Sequence, residues 1–144
     1  MKIIVVENEH QYEDALKVRK QVFIDEQQVP MELEVDAFEN EATHLVAYNG
    51  NSPIGAGRFR IKSNAAKVER ICVLKDFRRQ NIGLHIMQKI EELATELRLS
   101  ELILHAQTHA QHFYEKLGYQ VTSDVFYDAN MPHVEMKKVI SKAS

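Results

Sequence analysis

A β-rich run, Val68-Glu69-Arg70-Ile71-Cys72-Val73-Leu74, is followed by Phe77-Arg78-Arg79-Gln80-Asn81-Ile82-Gly83-Leu84-His85-Ile86-Met87 and then by an amphipathic stretch. A strand that passes into a helix through a polar, basic, glycine-containing loop constrains this chain more than any other feature. The turn leaves backbone N–H groups without partners at the start of the helix, where the helix dipole favours an anion. Arg78 and Arg79 add positive charge at the same place. The residues from Arg78 to Leu84 are therefore read as a cradle for a pyrophosphate. An ordinary strand–turn–helix with solvated arginines fits the same residues.

Elements on either side follow from periodicity and punctuation. Residues 2–7 read as a strand. Residues 9–20 read as a helix capped by Asn8, with a second short helix over 20–27 ending before Pro30. Residues 28–42 read as a long acidic loop carrying Glu32, Glu34, Asp36, Glu39 and Glu41. Loops this long in a small domain are often functional. Thr43–Tyr48, Ile54–Ile61 and Ala65–Leu74 form an antiparallel meander around the turns at 49–53 and 62–64. The spacing of Ile82, Ile86, Ile90, Leu93 and Leu97 predicts a helix over 82–98 with one buried face. Leu102–Ala106 reads as a buried central strand, followed by a helix over 109–117 with Gly118 as a left-handed cap. Short strands at 119–121 and 125–127 and a final one at 133–139 close the chain. The order β-α-α-β-β-β-α-β-α-β-β gives an α+β domain with a mixed sheet.

The chain has 144 residues, long enough for one domain with a sizeable core, and residues 1–144 are read as a single domain. A net charge of −3 argues against a nucleic-acid binder, yet local arginines suffice for an anionic cofactor. One cysteine, Cys72, excludes an internal disulfide and points to the cytoplasm. The apolar run at Ile3–Val6 is too short for a signal-peptide core or a membrane span.

Arg78-x-x-Asn81-x-Gly83 after a strand resembles the Arg/Gln-x-x-Gly-x-Gly/Ala signature of the GNAT superfamily of acyl-CoA N-acyltransferases. Asn81 stands where the pattern has its first glycine, and asparagine tolerates left-handed backbone better than other non-glycine residues. Phe113-Tyr114-Glu115-Lys116-Leu117-Gly118-Tyr119 resembles a second signature of that superfamily, on the helix after the central strand. Val22-Phe23-Ile24-Asp25-Glu26-Gln27-Gln28-Val29-Pro30, with Glu34-Val35-Asp36 and Thr43-His44-Leu45, is similar to small stand-alone bacterial members of the ElaA/YjcF-like kind. The resemblance implies the GNAT fold: a central, mixed, mostly antiparallel sheet flanked by helices. It implies acetyl-CoA as co-substrate and acetyl transfer to a primary amine, on a small molecule or a peptide, by direct attack in a ternary complex. On the same ground the amides of Arg78, Arg79, Gln80, Asn81, Ile82, Gly83 and Leu84 would hold the pyrophosphate. The backbone of Ile71, Cys72 and Val73 would hold the pantetheine arm, and Tyr114 would protonate the departing thiolate.

Alternation puts Glu69 on the same strand face as Ile71 and Val73, which makes it the first candidate base, with His105 second; an ion pair and a satisfied histidine are their plainer roles. His105, His109 and His112 lack a carboxylate or cysteine at ligand spacing, so no metal is expected. Cys72 reads as a small core residue. Tyr114 also fits plain amphipathic packing beside a Phe113/Leu117 pair. The acidic loop could attract a cationic amine or be a solvated face. Two rival functions stay open: a non-catalytic CoA-binding sensor, and an acyltransferase of the acyl-homoserine lactone synthase type. A homodimer through the late strands is compatible with the sequence.

Overall fold

The computed structural model describes residues 1–140, with Glu32 and Leu33 described by their backbone alone. Residues 141–144 of the expected domain lie outside the described residues. The strands are β1 (Lys2–Val5), β2 (Thr43–Asn49), β3 (Ser52–Lys62), β4 (Ala65–Val73), β5 (Glu101–Gln107), β6 (Gln120–Val121), β7 (Phe126–Asp128) and β8 (Met131–Val139). The α-helices are α1 (Glu9–Arg19), α2 (Met31–Glu34), α3 (Ile82–Glu96) and α4 (Gln111–Lys116). Eight strands form one sheet in the order β1-β2-β3-β4-β5-β8-β6, with β7 also paired to β8. Every pairing is antiparallel except β4 with β5. This is the mixed, mostly antiparallel α+β architecture expected.

Alternation along the strands divides the core in two. Leu45, Ala47, Phe59, Ala66, Val68, Leu102, Leu104, Val134 and Met136 pack with Ile82, Ile86, Met87, Ile90 and Ala94 of α3. On the other face Val46, Ala56 and Cys72 pack with Ala15 and Val18 of α1 and with Val22. Asn8 caps α1, its side chain accepting from the Gln11 N–H at 2.9 Å. Without a break α1 continues into a π-helical turn over Lys20–Glu26, and this wider turn brings Val22 and Phe23 over the sheet.

Two local features depart from simple periodicity. Leu97 is exposed, because α3 ends at Glu96 and Arg98 takes a left-handed conformation at φ 60°. The Leu99 N–H then bonds back to Ala94 O at 3.0 Å, and Leu99 fills the core in place of Leu97. In β4, Ala56 faces Cys72 and Arg58 faces Glu69, so Arg70 and Ile71 together oppose Gly57. That is a β-bulge, with Arg70 left-handed at φ 61°. Gly57 makes room for it: a Cβ there would meet Ile71 Cδ1 at 2.6 Å. Ile71 and Val73 consequently turn toward α3, and Glu69 turns to the opposite face. The expectation that Glu69 shares a face with Ile71 and Val73 is thus corrected, since the extra residue resets the alternation.

The segment expected to be an acidic loop contains the single turn α2 and is tied down from within. Arg19 Nε donates to Glu34 Oε1 at 2.7 Å, and its Nη2 donates to Glu39 Oε1 at 2.9 Å. Arg58 donates to Asp36 at 2.8 Å and also to Glu39. Arg70 Nε donates to the Glu34 carbonyl at 3.0 Å. Arg19, Arg58, Glu34 and Glu39 are buried. Glu34, Asp36 and Glu39 therefore neutralise internal arginines and do not form a solvated acidic face or an amine funnel. Glu41 is exposed, and the side chain of Glu32 lies outside the described residues.

Candidate active site

β4 and β5 pair only from Ala65↔Glu101 to Val68↔Leu104. Beyond that point β4 continues to Val73 and β5 to Gln107 without pairing to each other, so the sheet opens into a fork. A cleft of about 810 Å³ fills the fork and extends to the loop before α3. Leu74 donates its N–H to Ile54 O of β3 at 2.9 Å. The N–H of Val73, one residue back, therefore points away from β3 and into the gap.

The start of α3 closes one side of this cleft. Asn81 is left-handed at φ 64°, ψ 18°, and its side chain makes no capping bond. The first bond of the helix is His85 N–H to Asn81 O at 3.0 Å, which leaves the N–H groups of Ile82, Gly83 and Leu84 without an intrahelical acceptor. No acidic residue occupies the first turn of α3. Arg79 is also left-handed, at φ 67°. The turn thus forms with asparagine at the position where the signature has glycine.

The two arginines differ in what they touch. Arg78 donates to both carboxylate oxygens of Glu26, at 2.7 and 2.8 Å, and to the Val73 carbonyl at 3.0 Å. It straps the π-helical turn and the end of β4 to the loop. The paired Glu26 carboxylate raises Arg78, and the guanidinium holds Glu26 below the usual carboxylate range. Arg79 is exposed and has no side-chain partner among the described residues. Arg78, Arg79, Asn81, Ile82, Gly83, Leu84, Ile71, Cys72, Val73, Glu69 and Tyr114 all line the cleft; Gln80 does not.

Tyr114 of α4 faces the fork from the α3 side. Phe113 meets its ring edge-on at 4.9 Å and Tyr119 does so at 5.9 Å, which fixes its orientation. Burial, reinforced by the nearby Cys72, pushes the phenol well above its ordinary range, so the hydroxyl stays protonated at neutral pH. Gly118 ends α4 at φ 97°, as expected, and Tyr119 N–H returns to Tyr114 O at 3.1 Å. Cys72 is buried, and its thiol is pushed up to about 12 by that burial.

Glu69 belongs to the ion network. Its Oε1 accepts from Arg58 Nη2 at 2.9 Å and from Arg60 Nε at 3.2 Å. The first candidate base is thus an ion-pair partner on the face of the sheet away from Tyr114. His109 and His112 do not join His105 in a cluster, and among the described residues no group of three or more His, Cys, Asp or Glu side chains is placed to hold a metal ion. Sequence reasoning missed Lys67, Asp128 and His133, which line the same cleft. A lysine between Ala66 and Val68 on a central strand is the one signal that could have flagged the first of them.

A sheet forked between parallel central strands, with an uncapped helix N-terminus opening onto the fork, defines the acyl-CoA N-acyltransferase architecture. The chain belongs to the acetyltransferase (GNAT) domain family, whose model matches residues 6–140. It is 48% identical over 139 residues to the uncharacterized N-acetyltransferase YjcF of Bacillus subtilis, covering 96% of this chain and 99% of that one. The crystal structure of Escherichia coli ElaA superposes with a TM-score of 0.85 at 20% identity, covering 95% of this chain and 98% of that chain. An aminoglycoside 6'-N-acetyltransferase solved in complex with coenzyme A superposes with a TM-score of 0.81 at 15% identity, covering 100% of both chains.

Proposed function

We propose that this protein transfers an acetyl group from acetyl-CoA to a primary amine by direct attack within a ternary complex, in the cytoplasm. The observation that carries this reading is the convergence of three features on one cleft. The free N–H groups at Ile82, Gly83 and Leu84, the outward N–H of Val73 and the half-buried Tyr114 all line it. The first set suits a pyrophosphate, with Arg79 supplying charge and Arg78 joining only by leaving Glu26. An exposed pair such as Arg78–Glu26 contributes roughly 0.2–1 kcal/mol, so a phosphate can displace it.

The backbone of Ile71, Cys72 and Val73 suits a pantetheine arm laid against a strand edge. The Val73 N–H, which points into the gap, would polarise a thioester carbonyl held there. Tyr114 reaches the gap protonated and donates to the thiolate as the C–S bond breaks. Holding both reactants in line supplies much of the rate.

The experiment is thiol release from acetyl-CoA with a panel of primary amines, run beside calorimetry with coenzyme A. Tyr114→Phe is expected to lower kcat by about 100-fold with the acetyl-CoA Kd unchanged. Turnover unaffected by that change removes Tyr114 from the chemistry. Binding without turnover for any amine supports a non-catalytic sensor, and no binding at millimolar coenzyme A refutes the proposal.

A further inference from the structure

On the sheet face opposite α3 and α4, a polar cluster has no part in the steps above. Lys67 precedes Val68, and His105 follows Leu104, the residues of the last register pair before β4 and β5 separate. Val68 and Leu104 enter the core with α3, so alternation sends Lys67 and His105 to the other face at the apex of the fork. There Lys67 Nζ lies 2.8 Å from His105 Nε2. Lys67 is buried, while the His105 side chain is 37% exposed, and both line the cleft. Glu135 Oε2 is 3.5 Å from the same His105 nitrogen, on the way to solvent. Phe126 meets the imidazole edge-on at 5.0 Å and stacks on His133, which fixes the ring.

A buried lysine normally has a carboxylate partner. Among the described residues Lys67 has none within ion-pair distance; its hydrogen-bond partner is a second nitrogen base. Two bases at this separation hold one excess proton readily and two at high cost. Tyr114 lines the cleft from the α3 side of the sheet, and the Lys67–His105 pair lines it from the other face.

Resting on the acetyl-transfer proposal, we propose that Lys67 and His105 together accept the proton of the incoming amine and that His105 releases it to solvent past Glu135. The amine nitrogen forms its bond to the thioester carbon, and the C–S bond breaks with its electron pair leaving on sulfur. The amine proton passes to the Lys67–His105 pair. The thiolate takes the Tyr114 proton, which solvent restores.

Burial is the main force against charge on the pair. Burial brings Lys67 down to about 8, with Lys62 and Arg60 acting in the same direction and Glu69 and Glu135 opposing them. Burial, followed by the Lys67 charge, holds His105 below its ordinary range against Glu135 and Asp128. His133 stacks on the Phe126 ring that meets the imidazole edge-on. The pair is a base when unprotonated, so activity rises as pH rises through the region near 8.

The test combines pH profiles of thiol release from acetyl-CoA, using spermidine, kanamycin and Nα-acetyl-lysine amide, with an NMR titration of the His105 ring. In Lys67→Met the acid limb of kcat/KM is expected to move to lower pH by about one unit, because His105 then titrates alone. The NMR midpoint of His105 is expected to rise once the neighbouring ammonium is gone. Lys67→Gln replaces it should the methionine variant melt early. His105→Gln keeps an acceptor for Lys67 and is expected to lower kcat about 100-fold with the calorimetric Kd for acetyl-CoA unchanged. An unmoved limb in the Lys67 variant, or a His105→Gln enzyme within twofold of wild type, overturns the proton role alone. A wild-type protein that releases no thiol with any amine removes acetyl transfer and the proton role together.

Discussion

Glu39→Gln probes the buried charge network at its centre. Glu39 Oε2 accepts from Arg19 Nη1 at 3.0 Å and from the Tyr12 hydroxyl, and Oε1 accepts from Arg19 Nη2 at 2.9 Å and from Arg58. Its carbonyl is 2.9 Å from His44 Nε2. Arg19, Arg58, Arg60 and Arg70 are matched by Glu34, Asp36, Glu39 and Glu69, four charges against four. The amide removes one negative charge and turns an NH₂ toward groups that donate. Removing one partner of a buried pair costs about 3–5 kcal/mol. Three carboxylates remain to share the load, so the low end, about 3 kcal/mol, is expected.

For a domain of this size that loss lowers Tm by roughly 6–12 °C. Urea denaturation followed by far-UV circular dichroism measures it, with an unchanged m-value confirming that the comparison is valid. Hydrogen exchange should localise the loosening to residues 35–42. A loss below about 1 kcal/mol would mean that these groups behave as surface pairs, and the reasoning would fail.

Acid should weaken the same network. Burial pushes Glu39 and Asp36 up, but hydrogen bonds from Arg19 and Tyr12 to Glu39, and from Arg58 to Asp36, outweigh it and hold both below their ordinary values of 4.5 and 3.8. Their contribution is therefore complete above those values and lost as pH falls through the lower folded ones; a urea midpoint flat between pH 6 and pH 3 would contradict this. Cys72, buried and with its thiol pushed up to about 12, should resist a thiol reagent at pH 8 in the native protein and react fully in denaturant. Asn81→Val places a β-branched residue at φ 64° and should cost about 1–2 kcal/mol, while Asn81→Gly should not. The valine variant should also bind coenzyme A at least tenfold more weakly by calorimetry, and an equal Kd would remove this turn from the cofactor site.

What was legible in the sequence was local. The Asn8 cap, the Gly118 cap, the three-strand meander and the loop before α3 each follow from residues within a few positions of one another. The bulge at Arg70 and Ile71 was not legible, because neither residue marks a bulge and its glycine, Gly57, lies on the neighbouring strand. That one extra residue reversed the face assigned to Glu69. The exposure of Leu97 was hidden for a related reason: the left-handed position fell on Arg98, where a cap search looks for glycine. The acidic loop was misread because its partners are remote. Arg58 is 22 residues from Asp36 and Arg19 is 15 from Glu34, and no local pattern announces such pairs.

Four non-glycine residues with positive φ, Arg70, Arg79, Asn81 and Ala129, line the cleft. Each such conformation costs on the order of 1–3 kcal/mol and persists only where the surroundings over-determine it. At Arg70 the surroundings are the charge network: its guanidinium bonds the Glu34 carbonyl at 3.0 Å and Asp36 at 3.3 Å, while Arg58 grips Glu69 on the preceding residue. At the α3 loop, Arg78 fastens the turn to Val73 and Glu26. A buried ion network need not stabilise a fold better than apolar packing of the same volume, but bidentate guanidiniums fix direction as well as distance. Direction is what a bulge requires, because it aims Ile71 and Val73 toward α3 and Glu69 away from it. The charges along the N-terminal segment thus determine which backbone groups face the gap between β4 and β5, from a position on the far side of the sheet.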